Sequence, residues 1–377
     1  MIRSLKKNIT LDFVMCLLLI VASGNPIFIY STYVRELYII LVILSFLYSN
    51  KRNIYIAKDY ISYISVFIIV FLLQLLSVDD IAVNSQIFQL LRMFVGLAII
   101  KSLGAKFQYI YVKVITIVAV ISLFLFTYTN LVGYIPAFIS FKSSHSLIIY
   151  TEIYEDYWGV IPRNAGMFWE PGAFQGYLNL AILFALMMPK STTRKYSLIF
   201  LIVALLTTVS TTGYVVFGFV IIYYIYKYSK FNKSIRFLLT LIVCIAAVCA
   251  FFELSFLHDK IIDNLSDVDS SQGRITDFIR YRTYIKENWI CGMNVGRIPE
   301  FITGNGLVYM TLSFGFPAMI YYLLYTLLKL KKNNNFSLSM YMFVFILLTI
   351  QGETFNFYPL YLGLPFLKLQ FTEELSF

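Results

Sequence analysis

Two stretches of the chain gather side chains suited to a charged, sugar-like molecule. The first is Pro162-Arg163-Asn164-Ala165-Gly166-Met167-Phe168-Trp169-Glu170-Pro171-Gly172-Ala173. It sets a guanidinium and a carboxylate before an apolar run, with Pro171 where a helix would start. Arg163, Glu170 and a positive helix end together could hold a diphosphate and a hydroxyl acceptor. A structural Arg–Glu pair that locks the loop fits the same residues. Just upstream lie Tyr150, Glu152, Tyr154, Glu155, Asp156, Tyr157 and Trp158. Rings beside carboxylates suit sugars, because rings stack on pyranose faces while carboxylates accept from hydroxyls; an interfacial aromatic belt with solvated acids is the alternative.

The second stretch carries Arg274, Arg280, Arg282, Lys286 and Arg297. Asp267, Asp269, Ser270 and Ser271 offer helix-start chemistry. From Arg274 onward the spacing predicts an amphipathic helix lying on the membrane surface. Ile275, Phe278, Ile279, Arg282, Ile285 and Trp289 mark one side; Arg274, Asp277, Tyr281, Tyr284 and Asn288 mark the other, and Gly292 and Gly296 end the helix. Arginine binds phosphate through two parallel bonds, so these cations suit a lipid-linked pyrophosphate. Lipid head groups, or Asp263, Asp267, Asp269 and Asp277, could equally balance them. Asp267-Val268-Asp269 reads as cap chemistry rather than a metal site.

The elements that must hold these residues follow from composition. Of 377 residues, 59% are hydrophobic and only 13% charged, where soluble domains carry about 25% charged. That excludes a soluble enzyme, a disordered chain and a nucleic-acid binder, and predicts an all-α, polytopic membrane protein forming one integral membrane domain over 1–377. Twelve spans are expected: Leu11–Tyr30, Leu37–Tyr48, Tyr60–Ser77, Ile87–Ile100, Tyr109–Tyr128, Gly172–Met188, Tyr196–Thr211, Tyr214–Tyr226, Phe237–Phe256, Gly306–Leu328, Phe336–Ile350 and Phe355–Leu367. The basic N-terminal run before Leu11 reads as the flank of a retained first span.

With this count the 30 Lys and Arg sort by side. Every second loop is basic, which predicts cytoplasmic N- and C-termini. Two outer loops are long, 129–171 and 257–305, so chemistry is expected on the extracytoplasmic face. Arg92 lies inside the fourth span, either reaching the diphosphate or pairing with a carboxylate such as Glu170 or Glu353. His145 and His258 read as surface residues. The four cysteines show no metal or disulfide spacing, and no metal or other cofactor is expected.

The run from Arg163 to Pro171 resembles the Arg-x-x-Gly-x-Phe-x-Glu-Pro signature of the bacterial O-antigen polymerase and ligase superfamily. The run Thr207-Thr208-Val209-Ser210-Thr211-Thr212-Gly213 is similar to a Ser/Thr-rich place in that family. Gly273-Arg274, the helix, and Gly292 to Gly296 resemble its large periplasmic loop. Ligases carry His-Asn and a glycine at a set spacing; here Gly304 stands at the His position, while Asn305 and Gly315 keep the spacing and Ala318 departs from it. The resemblance therefore implies the polymerase branch, with a type C glycosyltransferase architecture. It implies joining of undecaprenyl-diphosphate-linked oligosaccharide repeat units without metal, with membrane lipids and a chain-length regulator as partners and no nucleic acid. Arg163, Glu170 and Arg274 would be catalytic; Arg280, Arg282, Arg297, Asn305, Arg92, Tyr281 and Trp158 would contact substrate. The rival readings are a ligase acting on lipid A core and a non-enzymatic polysaccharide flippase or transporter.

Overall fold

The computed structural model describes residues 2–77, 81–133, 136–141, 144–153, 162–228, 231–253, 277–295 and 303–369. Arg274, Arg297 and Trp158 lie outside these residues, as does most of the acidic stretch before Asp277. The chain is mostly helical. Its helices are α1 (Ile2–Ala22), α2 (Ile27–Tyr30), α3 (Val34–Lys51), α4 (Ala57–Ser77), α5 (Val83–Leu103), α6 (Lys106–Val132), α7 (Pro171–Met187), α8 (Thr192–Thr207), α9 (Thr211–Tyr228), α10 (Lys233–Glu253), α11 (Asp277–Arg280), α12 (Arg282–Glu287), α13 (Gly306–Asn333), α14 (Phe336–Gly352) and α15 (Pro359–Gly363). Four of them, α4, α5, α6 and α13, are long and apolar enough to cross a bilayer, and several shorter ones are apolar. This is the make-up of a helical membrane-embedded protein.

The expected spans from Leu37–Tyr48 to Phe336–Ile350 each fall on one helix within a few residues. Helix ends follow local chemistry: Ser191 accepts from the Arg194 N–H at the start of α8, and Asn335 accepts from Leu338 at the start of α14. Gly133 closes α6 in the left-handed conformation. Three elements depart from expectation. The first expected span breaks at Ser23-Gly24-Asn25-Pro26. Phe355–Leu367 is a series of short turns, none longer than the five residues of α15. The segment between α6 and α7 adds a strand component to the expected all-α fold: β1 (Ile139–Phe141), β2 (Ser144–Ser146) and β3 (Thr151–Ile153) pair antiparallel in that order. Alternation explains β2, where Ser144 and Ser146 are buried and His145 between them is not.

The chain forms two compact units. Unit 1 comprises 1–56, 94–214 and 358–377. Its centre is α7, of whose residues only Leu186 escapes full burial, as expected of a helix apolar all round. From α6, Gln108 and Tyr111 donate to the carbonyls of Phe184 and Tyr177 at 3.1 Å each. Asp12 is buried and bonded to Tyr48 and Arg52, with Lys106 3.7 Å away. A Cβ at Gly96 would fall 2.0 Å from the Pro359 carbonyl oxygen, so α5 and α15 cross backbone to backbone.

Unit 2 comprises 57–93 and 215–357. Here α13 packs on α4 and α14. Tyr321 donates to the Ser62 carbonyl, Tyr63 stacks on Tyr325 at 4.9 Å, and Lys329 pairs with Asp59 at 2.5 Å. Phe219 and Tyr223 of α9 stack on Tyr341 of α14 at 4.8 and 3.5 Å.

Candidate functional site

Polar groups gather at two places, one in each unit. In unit 1 the place is the junction of α8 and α9, where Thr208, Val209 and Ser210 interrupt the helices. Val209 has φ +47°, a left-handed conformation uncommon for a β-branched residue. The sequence-predicted segment Pro162–Glu170 lies on this junction. Arg163 is half-buried, and its Nε donates to the Thr208 carbonyl at 3.1 Å. The adjacent Asn164 is fully buried; its N–H donates to the Thr207 carbonyl at 2.9 Å and its Nδ2 to Thr207 Oγ1 at 3.0 Å and Ser122 Oγ at 3.3 Å. Asn164 Oδ1 accepts from the Gly166 N–H at 2.9 Å and shapes the turn.

Gly166 has φ +57°, and a Cβ there would meet the Phe174 ring at 2.8 Å. The left-handed backbone favours glycine here, and the ring leaves little room for a larger residue. The Gly166 carbonyl accepts from Thr151 of β3, which ties the sheet to the loop. Phe168 stacks on Tyr177 with centroids 4.1 Å apart, and Trp169 packs against Tyr358 at 4.8 Å. Asn25 in the break after α1 donates to the Met167 carbonyl at 2.9 Å. Glu170 is then delivered, half-exposed, to the N-cap of α7, with no side-chain bond to the first turn.

Behind the junction, sequence reasoning missed two amides of α7. Asn179 donates to the Gly213 carbonyl at 3.0 Å and to Gln175 Oε1 at 3.1 Å. Gln175 Nε2, Asn179 Oδ1 and Thr211 Oγ1 are shielded and have no protein hydrogen-bond partner. Two amides four residues apart on an otherwise apolar helix were the available signal, since such pairs share a face.

In unit 2 the described part of the expected amphipathic helix is two short helices, α11 and α12, broken at Tyr281. Asp277 and Tyr281 are buried, while Phe278, Ile279 and Trp289 are exposed, so the two expected sides stay distinct. Asp277 accepts from the Thr303 hydroxyl and pairs with Arg280 at 3.5 Å, so its carboxylate is satisfied where it is buried. Tyr281 packs against Val308 and Leu312. Asn305 caps α13 by accepting from the Leu307 and Val308 N–H groups at 3.0 and 3.3 Å. Three of the expected substrate contacts, Arg280, Tyr281 and Asn305, are thus engaged within the fold. Arg282 is exposed at the start of α12, and Arg92 is half-buried in α5. Glu353 is buried just after α14.

The other polar feature of unit 2 is a break within α13 at Gly315, which has φ +81° and ψ 165°. Trp289–Asn294 lies against this break. The Phe316 N–H donates to the Trp289 carbonyl at 2.7 Å, and the Met293 N–H to the Leu312 carbonyl at 2.6 Å. From α4, Gln74 Nε2 donates to the carbonyls of Ser313 at 2.8 Å and Cys291 at 2.5 Å. Gln86 in turn donates to Gln74 Oε1 at 2.7 Å. Gln89, one turn further along α5, is buried with neither amide atom partnered in the protein. A Cβ on Gly292 would lie 2.6 Å from Gly315 N, and one on Gly315 would lie 2.2 Å from the Ile290 carbonyl oxygen. Comparison with models of protein families, with curated proteins and with solved structures finds no match to this chain.

Proposed function

We propose that this membrane protein is an O-antigen-type polysaccharide polymerase, joining oligosaccharide repeat units carried on undecaprenyl diphosphate at the periplasmic face of the inner membrane. The observation that carries the reading is the docking of the Arg163–Glu170 run on the Thr207–Gly213 run through Arg163 and Asn164. These are two of the runs on which the resemblance rests, and they lie about 40 residues apart in sequence. Their junction offers the Arg163 guanidinium, whose Nε donates to the Thr208 carbonyl, hydroxyls of a polar turn, and the start of α9, whose partial positive charge favours an anion.

In the proposed reaction the hydroxyl of one repeat unit attacks the anomeric carbon of another chain. The C–O bond to the lipid diphosphate breaks, and the diphosphate leaves with the bonding pair. The hydroxyl proton passes to a base, for which Glu170 at the head of α7 is the candidate in unit 1. Arg163 stabilises the charge that develops on the leaving group. Arg274 and Arg297 keep the roles the resemblance gives them, with Arg282 and Arg92 as further cationic contacts.

The test is the length and amount of polymer made by membranes holding each variant at equal level. Arg163→Ala should lower the rate roughly 30- to 1,000-fold, and Arg163→Lys should fail to restore it, since an ammonium lacks the planar fork. Wild-type polymer from Arg163→Ala would exclude the diphosphate role. A second reading, a polysaccharide transporter, draws on the break at Gly315, because broken helices line the binding sites of many transporters. Lipid-linked repeat units carried across sealed vesicles without chain growth would establish it instead.

A further inference from the structure

We infer that Asp277–Asn294 is a re-entrant segment that descends beside α13 to about the middle of the bilayer, rather than a helix resting on its surface. The inference rests on α13 being a span. From Gly306 to Leu328 that helix rises about 33 Å at 1.5 Å per residue, close to the ~30 Å of a hydrocarbon core; Lys329, Lys331 and Lys332 follow at its far end. Contacts with α13 give the depth of the segment step by step. Asp277 meets Thr303, just before the helix begins. Tyr281 meets Val308 and Leu312. The Trp289 carbonyl accepts from Phe316, which lies about 15 Å along the helix from Gly306. The thirteen residues from Asp277 to Trp289 thus run alongside the fourteen from Thr303 to Phe316, in the same direction.

Non-helical backbone survives at such depth only where its polar groups are satisfied in the protein or by water. The tip meets that condition. Gly292 N–H donates to the Asn288 carbonyl at 2.8 Å and Met293 N–H to Leu312, while Gln74 covers the Cys291 carbonyl. Gly292 and Gly315 permit the close approach.

The side chains continue this pattern. On α13, Phe316, Ile320, Leu324 and Leu328 form an exposed apolar stripe at four-residue steps. Trp289 and Ile290, 54% and 50% exposed, extend it at the level of Phe316. The occupant of that continuous surface is lipid acyl chain. Above the tip, Arg282, Thr283, Lys286 and Glu287 are exposed and need water. The segment therefore partitions the outer half of the span, with a wetted cationic flank above an apolar tip.

Trp289 is one of three tryptophans, with Trp158 and Trp169, so its fluorescence reports the depth directly. The probe is phosphatidylcholine vesicles brominated at mid-chain, holding the full chain with Trp158→Phe and Trp169→Phe. Emission from Trp289 should be blue-shifted and strongly quenched by the bromines, and little affected by aqueous iodide. Quenching by iodide, without quenching by mid-chain bromine, overturns the inference and returns the segment to the surface. Should the double substitution misfold, the difference in emission between wild type and Trp289→Phe carries the same readout. Leu324→Trp on the stripe of α13 serves as reference. If it too escapes the bromines, the span itself is wrong and the inference falls with it; if it is quenched while Trp289 is not, only the re-entrant path is lost.

Discussion

The loop on the α8–α9 junction in unit 1 and the loop on the α13 break in unit 2 both lay irregular chain against interrupted helix, but they are fastened differently. In unit 1 the loop brings its own fastener: Asn164 supplies four hydrogen bonds, and Gly166 yields to a ring, which can shift. In unit 2 the fastener comes from elsewhere, since Gln74 of α4 reaches carbonyls on both sides of the contact while two glycines press backbone on backbone. A loop held by its own side chains tolerates change in its surroundings. A loop held by a distant amide depends on the register of another helix.

The largest effect should come from the glycines of unit 2. Gly315→Ala forces a Cβ onto backbone atoms that cannot move aside and places alanine at positive φ. The combined cost is about 3 kcal/mol or more, read as loss of monodisperse protein and a large fall in Tm in detergent. Gly166→Ala should cost less, about 1–2 kcal/mol, because the Phe174 ring can give way. If the order of the two is reversed, the contrast between a stiff and a yielding contact is wrong.

The amides sharpen the comparison at the next level. Asn164→Ala and Gln74→Ala each strand buried partners, at about 1–3 kcal/mol, and thermal unfolding with unit-specific fluorophores should place each loss in its own unit. Gln89→Leu offers the control. Its amide has no protein partner, so an apolar replacement of similar size should be neutral or stabilising. A clear loss of polymerisation at unchanged Tm would show that this amide serves a ligand.

The smallest expected effect is on pH dependence in unit 1. Burial pushes the Tyr150 hydroxyl up to about 12, helped by the charge of Glu152 and opposed by its bond to Thr129. A phenol raised above its unfolded value of about 10 contributes stability that is complete below that pH and lost as pH climbs through the folded value. Tyr150→Phe should therefore lower Tm slightly at neutral pH and flatten its decline between pH ~10 and ~12.

Most helices were legible because a bilayer-length apolar run is a strong local signal; their caps at Ser191, Asn305 and Asn335 were missed, although each capping side chain sits beside its target. The fasteners were not legible. Gln74 is one polar residue in an apolar helix, and its partners lie more than two hundred residues away. Phe355–Leu367 looked like a span by hydropathy, but its apolar residues serve tight turns such as the one where the Leu360 N–H meets Ser23 Oγ at 2.8 Å.

The close crossing of Gly96 and Gly363 carries a consequence for biosynthesis. Unit 1 takes strips from both sides of unit 2 in the translation order, and the strip that fills the groove at Gly96 starts at Tyr358. The ribosome must therefore make all of unit 2 before unit 1 can close. Until then α1 and α5 wait in the membrane with a gap that a chaperone or a protease can recognise. A nascent chain arrested after α14 should expose this unfinished groove while unit 2 is already assembled.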